Sequence, residues 1–428
     1  MKNSVLLLLP LALVLSVPAA AQPVGAFLER ARTLNLDARA ATAAVARADA
    51  ESAQAWAALL PTLSASAGWT RNQYPAEFDQ PGAPGAGTKR IVIVPENQLE
   101  ATLRLEAPLV DVSRWLRVRA GARAAEAAAL RRGATTEAVQ RAVVSAYYQL
   151  GSSHALGRAA ARGLEVARSS LGMAEARAKA GAAPELDVLR ARAEVERNRQ
   201  LVADAEALVA ISARALETLS GLAPVGEVQL PTDDLHEEPS LSSLERNLDG
   251  LPSVQAAAQE VGVAAANREA AWATLLPSVS AQATQRFTNA TGFQDQGALW
   301  NVGVGMSWRG DVAALHGARS LATAEESAAV SAERAQAQAR DALHADWHRV
   351  RAAIEKLRAA GAQSEAATRA EMLASERYAA GTATQVDVLQ AGRDALSAEL
   401  SRVQASAELA QARASLRLSA HLPLEVTP

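Results

Sequence analysis

Two aspartates, Asp187 and Asp387, stand 200 residues apart in matching surroundings, GAAPELDVLRA at 181–191 and GTATQVDVLQA at 381–391. Each follows a glycine, Gly181 or Gly381, by six residues. Glycine tolerates positive φ and lets a chain reverse. A carboxylate in the first turn of the returning helix then complements the helix dipole. That structural role suffices for at least one of the pair. A second chemistry opens if identical chains surround an axis. One aspartate then becomes a ring, and rings of acidic side chains select or bind cations in pores. Glu100, Arg104 and Glu106 recur at even spacing, and Arg286 lies in a similar run. On one face of a strand they would tune a water-filled bore, or keep it wet. His344 and His348 are one helical turn apart and could hold a metal, but they lack further ligands and no cysteine helps them. A solvated or packed helix face is the simpler reading of that pair. Tyr147, Tyr148 and Trp347 read as core rather than as a ligand stack. No nucleophile–base arrangement, phosphate-binding glycine loop or H-E-x-x-H is present. The sequence therefore points away from an enzyme, and no metal or cofactor is expected.

The elements that carry these residues come in two copies. AWAALLP at 55–61 returns as AWATLLP at 271–277, an offset of 216. Asp111-Val112 returns as Asp311-Val312 and Tyr147 as Trp347, both at 200, like Gly181 and Gly381. The first copy thus carries an insertion of 16 residues between Pro61 and Asp111. The Pro/Gly-rich stretch Pro75–Pro95 is its expected site and reads as a loop. Ala, Leu, Arg and Glu dominate the rest, and residues 112–180 and 309–380 contain no proline, which predicts long helices. Pro108 to Gly181 and Trp308 to Gly381 each span 73 residues, on the order of 110 Å of helix at ~1.5 Å per residue. Residues 24–60 and 185–220 would form helices about half that long, and 252–276 and 385–420 follow the same plan less closely. Val188, Val195, Val202, Val209 and Leu216 repeat every seven residues, as do Leu389, Leu396 and Val403, so the helices pack side by side along a coiled-coil seam.

Four runs alternate apolar and polar residues with period two. Leu63, Ala65, Ala67 and Trp69 interleave with Ser64, Ser66, Gly68 and Thr70. Leu99, Ala101, Leu103 and Leu105 interleave with Glu100, Thr102, Arg104 and Glu106. Val279, Ala281, Ala283 and Phe287 form a third apolar row, and Trp300, Val302, Val304, Met306 and Trp308 a fourth. Runs of about ten residues suit membrane-spanning strands, and Trp69, Tyr74, Trp300 and Trp308 suit interfacial belts. A soluble antiparallel sheet with one wet face is the plainer alternative. Four strands cannot close a barrel, and lipid tolerates no open edge. A trimer would supply twelve strands and closure.

The chain of 428 residues has a formal charge of −3 and no cysteine, which excludes a disulfide scaffold and gives no sign of a nucleic-acid partner. It opens MKNSVLLLLPLALVLSVPAAAQP, which reads as a secretory signal peptide over 1–21. The cysteine that a lipoprotein would carry just after its signal is missing, and no later run suits a membrane helix. The expected organisation is a first repeat over 22–220, a connector over 221–251, a second repeat over 252–420 and a tail over 421–428. The strand pairs fall at 62–107 and 278–308, and the turns near 181–187 and 381–387.

W-x-x-L-L-P before a strand, and Y-x-x-G-x-x-x-x-x-D-V-L-x-A at a helix turn, resemble the TolC-type outer membrane efflux proteins. The second motif stands here as Tyr378, Gly381, Asp387-Val388-Leu389 and Ala391; in the first half Arg177 takes the place of the tyrosine, before Gly181, Asp187-Val188-Leu189 and Ala191. The resemblance implies a mainly α fold: a long α-helical barrel plus four strands per protomer, closing as a twelve-stranded barrel in a homotrimer within outer membrane lipid. It implies a passive exit duct of a tripartite efflux or type I secretion system, with an inner-membrane transporter and a periplasmic adaptor as partners. By the same resemblance Asp387 lines the periplasmic entrance, and the family's further aspartate three residues on is Gln390 here. Gly181–Leu186 and Gly381–Val386, with Tyr378, are the expected docking turns. The competing reading is an envelope-anchored trimeric coiled coil without transport, but such a stalk needs neither an internal duplication nor two strand pairs.

Overall fold

The computed structural model describes residues 22–82, 84 and 87–424. The expected signal peptide, and the last four residues of the expected tail, lie outside the described residues. The elements run α1 (Val24–Leu34), α2 (Leu36–Ala57), β1 (Thr62–Arg71), β2 (Ala76–Gln80), β3 (Lys89–Val94), β4 (Asn97–Val110), α3 (Val112–Lys179) and α4 (Glu185–Ser220). There follow α5 (Leu241–Leu244) with a 3-10 turn over Glu245–Gly250, α6 (Pro252–Ala273), β5 (Ser278–Thr288), β6 (Ala298–Ser307), α7 (Val312–Ala379) and α8 (Gln385–Ser419). The duplication is plain in the lengths: α3 and α7 have 68 residues each. Both start behind an aspartate cap. The Asp111 carboxylate accepts from the Arg114 amide at 3.1 Å, and that of Asp311 from the Ala313 amide at 2.8 Å.

The chain forms two compact units. The first holds Met1–Ala41, Gly133–Leu251 and Gln336–Pro428. Its core gathers Phe27, Val143, Leu150 and Leu216, all fully buried, with Val228. Burying each such side chain contributes roughly 1.5–3 kcal/mol before the entropy of ordering is subtracted. Tyr147 stacks against Phe27 with ring centroids 5.8 Å apart, so this tyrosine edges the core. The heptad positions Val195, Leu216, Leu389 and Val403 are buried, as a packed seam requires. The helix expected over 24–60 is divided at Asn35. Its side chain accepts from the Asp37 amide and donates to the Leu219 carbonyl, both at 2.9 Å, which starts α2 afresh and ties it to α4.

The second unit holds Thr42–Arg132 and Pro252–Ala335. Its sheet has the order β1-β4-β5-β6, antiparallel throughout, and a separate hairpin pairs β2 with β3. The hairpin corrects the loop expected over 75–95. Phe78 and Ile91 face each other across it, and Phe78 packs 5.7 Å from Phe293. Pro81, Gly82, Pro84 and Gly87 fall between the two strands in sequence, which leaves the flanks free to pair. The structure also moves the helix start from Pro108 to Val112, because β4 runs on to Val110. Pro108, without an N–H, sits beside a register shift where β4 has lost β1 and keeps only β5 as partner.

Candidate functional site

The register fixes which side chains share a face. Glu100 opposes Gly68 and Thr288, Arg104 opposes Ser64 and Thr284, and Glu106 opposes Thr62 and Gln282. Arg286 opposes Thr102 and Leu299. Side chains alternate along a strand, so the four charged residues lie on one polar face together with Gln282, Thr284 and Asn301. The structure thus brings all four together, and three are engaged there. Arg286 meets Glu100 at 2.7 Å, and Arg104 donates to Gln282 at 2.5 Å. The opposite face carries Leu63, Trp69, Leu99, Leu103, Trp300, Val302, Val304 and Met306, all exposed. The sheet therefore has one polar face, one apolar face with no cover among the described residues, and two edges, β1 and β6.

Both helical turns are built alike. Gly181 has φ +65° and Gly381 φ +77°. The Ala182 amide donates to the Arg177 carbonyl, and the Thr382 amide to the Arg377 carbonyl, at 2.8 Å each. These equivalent bonds correct the alignment of the motif. Arg177 corresponds to Arg377, and Ala178 is the residue that stands where Tyr378 does. Arg177 lies over the Tyr378 ring, 4.6 Å from its centroid, and donates to the Tyr378 carbonyl. Tyr378 is 3% exposed, so its ring supports the turn from inside and offers a partner no surface. Burial raises the Tyr378 hydroxyl above its ordinary pKa, against the favourable charge of Arg177.

The two aspartates differ in what they hold. Asp387 accepts from the Thr384 amide at 2.8 Å and hydroxyl at 2.7 Å, and Thr384 caps the Asp387 amide in return. This capping box starts α8, and its hydrogen bonds hold the Asp387 carboxyl below its ordinary range. Asp187 follows Pro184, which offers no side-chain cap, and faces Arg190 at 3.6 Å. No bond joins the two aspartates among the described residues. Leu186 and Val386 occupy equivalent positions and are 52% and 49% exposed, so each turn presents an apolar residue beside its carboxylate.

His344 and His348 are both exposed, with ring centroids 4.6 Å apart. Sequence reasoning missed a tighter cluster at 233–238. Arg413, on α8, binds Asp233 through two nitrogens at 2.6 and 2.9 Å, and also binds Glu238 and His236. Asp233, Asp234 and His236 are near enough to share a cation, but the Arg413 guanidinium already binds Asp233 and His236. No local pattern could have announced it, since the partners are 180 residues apart.

A family model described as outer membrane efflux protein matches residues 27–222 and 244–420. A probable efflux pump outer membrane protein of Pseudomonas putida, TtgC, is 29% identical over 259 residues, 59% of this chain and 49% of the relative. The chain therefore spans about half the length of the curated relatives it matches. Among solved structures, the CmeC outer membrane channel of Campylobacter jejuni is similar with a TM-score of 0.78 and 17% identity, covering 94% of this chain and 86% of that one. The outer membrane protein VceC of Vibrio cholerae gives 0.76 and 17%, covering 94% and 97%. At such identities the likeness speaks for the fold.

Proposed function

The chain belongs to the outer membrane efflux protein family, and on that premise we propose that it is the outer-membrane exit duct of a tripartite efflux or type I secretion system, assembled as a homotrimer. The observation that carries this reading is the four-stranded sheet with one polar face, one exposed apolar face and two open edges. An edge leaves backbone groups unpaired, and the bilayer core has no water to satisfy them. Three copies, with β6 of one chain against β1 of the next, remove every edge and make twelve strands. The apolar faces then meet lipid, and Glu100, Arg104, Glu106 and Arg286 line the bore. The strands have 10, 14, 11 and 10 residues, enough to cross a bilayer at the usual tilt.

The helices extend the duct into the periplasm, and the signal at 1–21 sends the chain there. The turns at 181–187 and 381–387 are the docking points for a periplasmic adaptor, which bridges to an energised inner-membrane transporter. Leu186 and Val386 would meet its apolar surface, with Gly181 and Gly381 setting the turn. Asp387, and less centrally Asp187, would form the acidic rings at the entrance. The duct itself performs no covalent chemistry and needs no cofactor: a continuous wet path and the right partners suffice.

The test uses the absence of native cysteine. Cysteines are placed at Ser66 in β1 and, one at a time, along β6 from Asn301 to Gly305. Oxidation in intact outer membranes is expected to give a covalent trimer for at least one register. Monomers only, in every register, would remove the closed barrel and with it the duct.

A further inference from the structure

We propose that the cleft between α3, α4, α7 and α8, about 470 Å³ and contained within the first unit, binds an organic ammonium ion with an apolar body. Its wall is apolar at Val166, Met173 and Leu396. Two glycines keep it open. A Cβ on Gly163 would come within 2.9 Å of Leu396 and 3.0 Å of the Asn198 Oδ1, and one on Gly392 would stand 3.7 Å from a Glu371 oxygen. Both acceptors therefore face space that small residues vacate.

The polar groups ask for a cation that donates N–H bonds. Asn198 is 3% exposed, and its amide nitrogen donates to the Glu194 carbonyl at 2.9 Å. Its Oδ1 is buried without a partner, which native structures rarely leave uncompensated. Glu371 is half-buried and has no cation partner among the described residues. Burial accordingly raises its carboxyl above the ordinary range. The cleft's own cations are already engaged. Arg393 binds Glu194 at 2.8 and 2.6 Å, and Arg162 binds Glu399 at 2.9 Å. An anion would meet an unpaired acceptor and an uncompensated carboxylate. A bare metal ion would find one unpaired carboxylate, one amide oxygen and the neutral hydroxyls of Ser169, Ser170, Thr368 and Ser375, since Glu194 and Glu399 are held by arginines, too few charged hard ligands. An ammonium group supplies both the positive charge that Glu371 lacks and the N–H donors that the Asn198 Oδ1 can accept, while its organic body covers the apolar wall, in a volume typical of small-molecule sites. The inference stands on this cleft and is independent of the duct reading.

The test is isothermal titration of the full-length protein in detergent with phenethylammonium chloride, using phenethyl alcohol as the neutral control. Saturable binding at one site per chain is expected, at least about tenfold stronger for the ammonium than for the alcohol. Glu371→Gln should weaken it at least about tenfold. Gly392→Leu, which fills the cleft, should abolish it, with circular dichroism showing both variants as helical as the wild type. No saturable binding at millimolar concentration would overturn the proposal, as would equal affinity in the wild type and both variants.

Discussion

Val302 and Asn301 are neighbours on β6, yet they oppose Ala283 and Thr284 and so lie on different faces of the sheet. Both are exposed, Val302 at 69%. If the sheet stands in water, a lysine at either position should change stability by no more than about 0.5 kcal/mol. If it spans a membrane, the two sites part. At ~3.3 Å per residue the ten-residue strand is about 33 Å long, and a tilt of about 40° leaves roughly 25 Å along the membrane normal. Val302, the fifth residue, then sits near the bilayer midplane. Lysine there costs about 2–4 kcal/mol per protomer, a factor of roughly 30 to 900 in the folding equilibrium. Asn301→Lys points into the bore and stays within about 0.5 kcal/mol. The assay is urea titration of protein folded into lipid vesicles, followed by the gel shift between heat-stable and unfolded forms. Midpoints that fall for Val302→Lys and not for Asn301→Lys support the assignment of faces. Equal effects at the two positions would refute it.

Three further outcomes are expected. Asp387 has its folded pKa depressed by Thr384, so its stabilising contribution is present above the ordinary value of 3.8 and lost as pH falls through the lower folded value. Amides at the start of α8 should lose protection from hydrogen exchange in that acid window, after correction for intrinsic rates, and Thr384→Ala should flatten the dependence. Gly381→Ala forces a side chain to φ +77° and should cost about 1–2 kcal/mol, whereas Gly361→Ala, in the open interior of α7, should gain about 0.5–1 kcal/mol; denaturation midpoints separate the two. Arg413→Met strands Asp233 and Glu238, whose side chains are 15% and 11% exposed, and should destabilise the segment around them by about 3–5 kcal/mol, read as new proteolytic cuts within 224–240.

The duplication was legible because equivalent residues recur at one offset, and equal 68-residue helices follow from two proline-free spans. The strand faces were legible because period-two alternation survives pairing: Glu100, Arg104, Glu106 and Arg286 share a side in the register, as they do in the pattern. The hairpin at 76–94 escaped because the prolines and glycines between its strands read as a loop, although Ala76–Gln80 and Lys89–Val94 on either side pair. Pro108 misled because proline usually ends an element, and here an irregular strand absorbs it. Asn35 divides a helix through a bond to Leu219, and Arg413 gathers acids from a distant segment. Contacts of such sequence separation leave no local signal. The burial of Tyr378 left no local signal for the same reason, since only the fold lays Arg177 over its ring.

The central claim is a wet path through the outer membrane, and single-channel recording in a planar bilayer tests it most directly. The purified chain is compared with Asp387→Ala, with divalent and trivalent cations added on the side of the helical turns. Heat-stable trimers that insert and conduct in discrete steps, with cation block in the wild type that weakens in the variant, are the predicted result. Trimers that insert and never conduct, even when the turns are destabilised by Asp387→Ala and Thr384→Ala together, would contradict the duct and favour an envelope-anchored coiled coil.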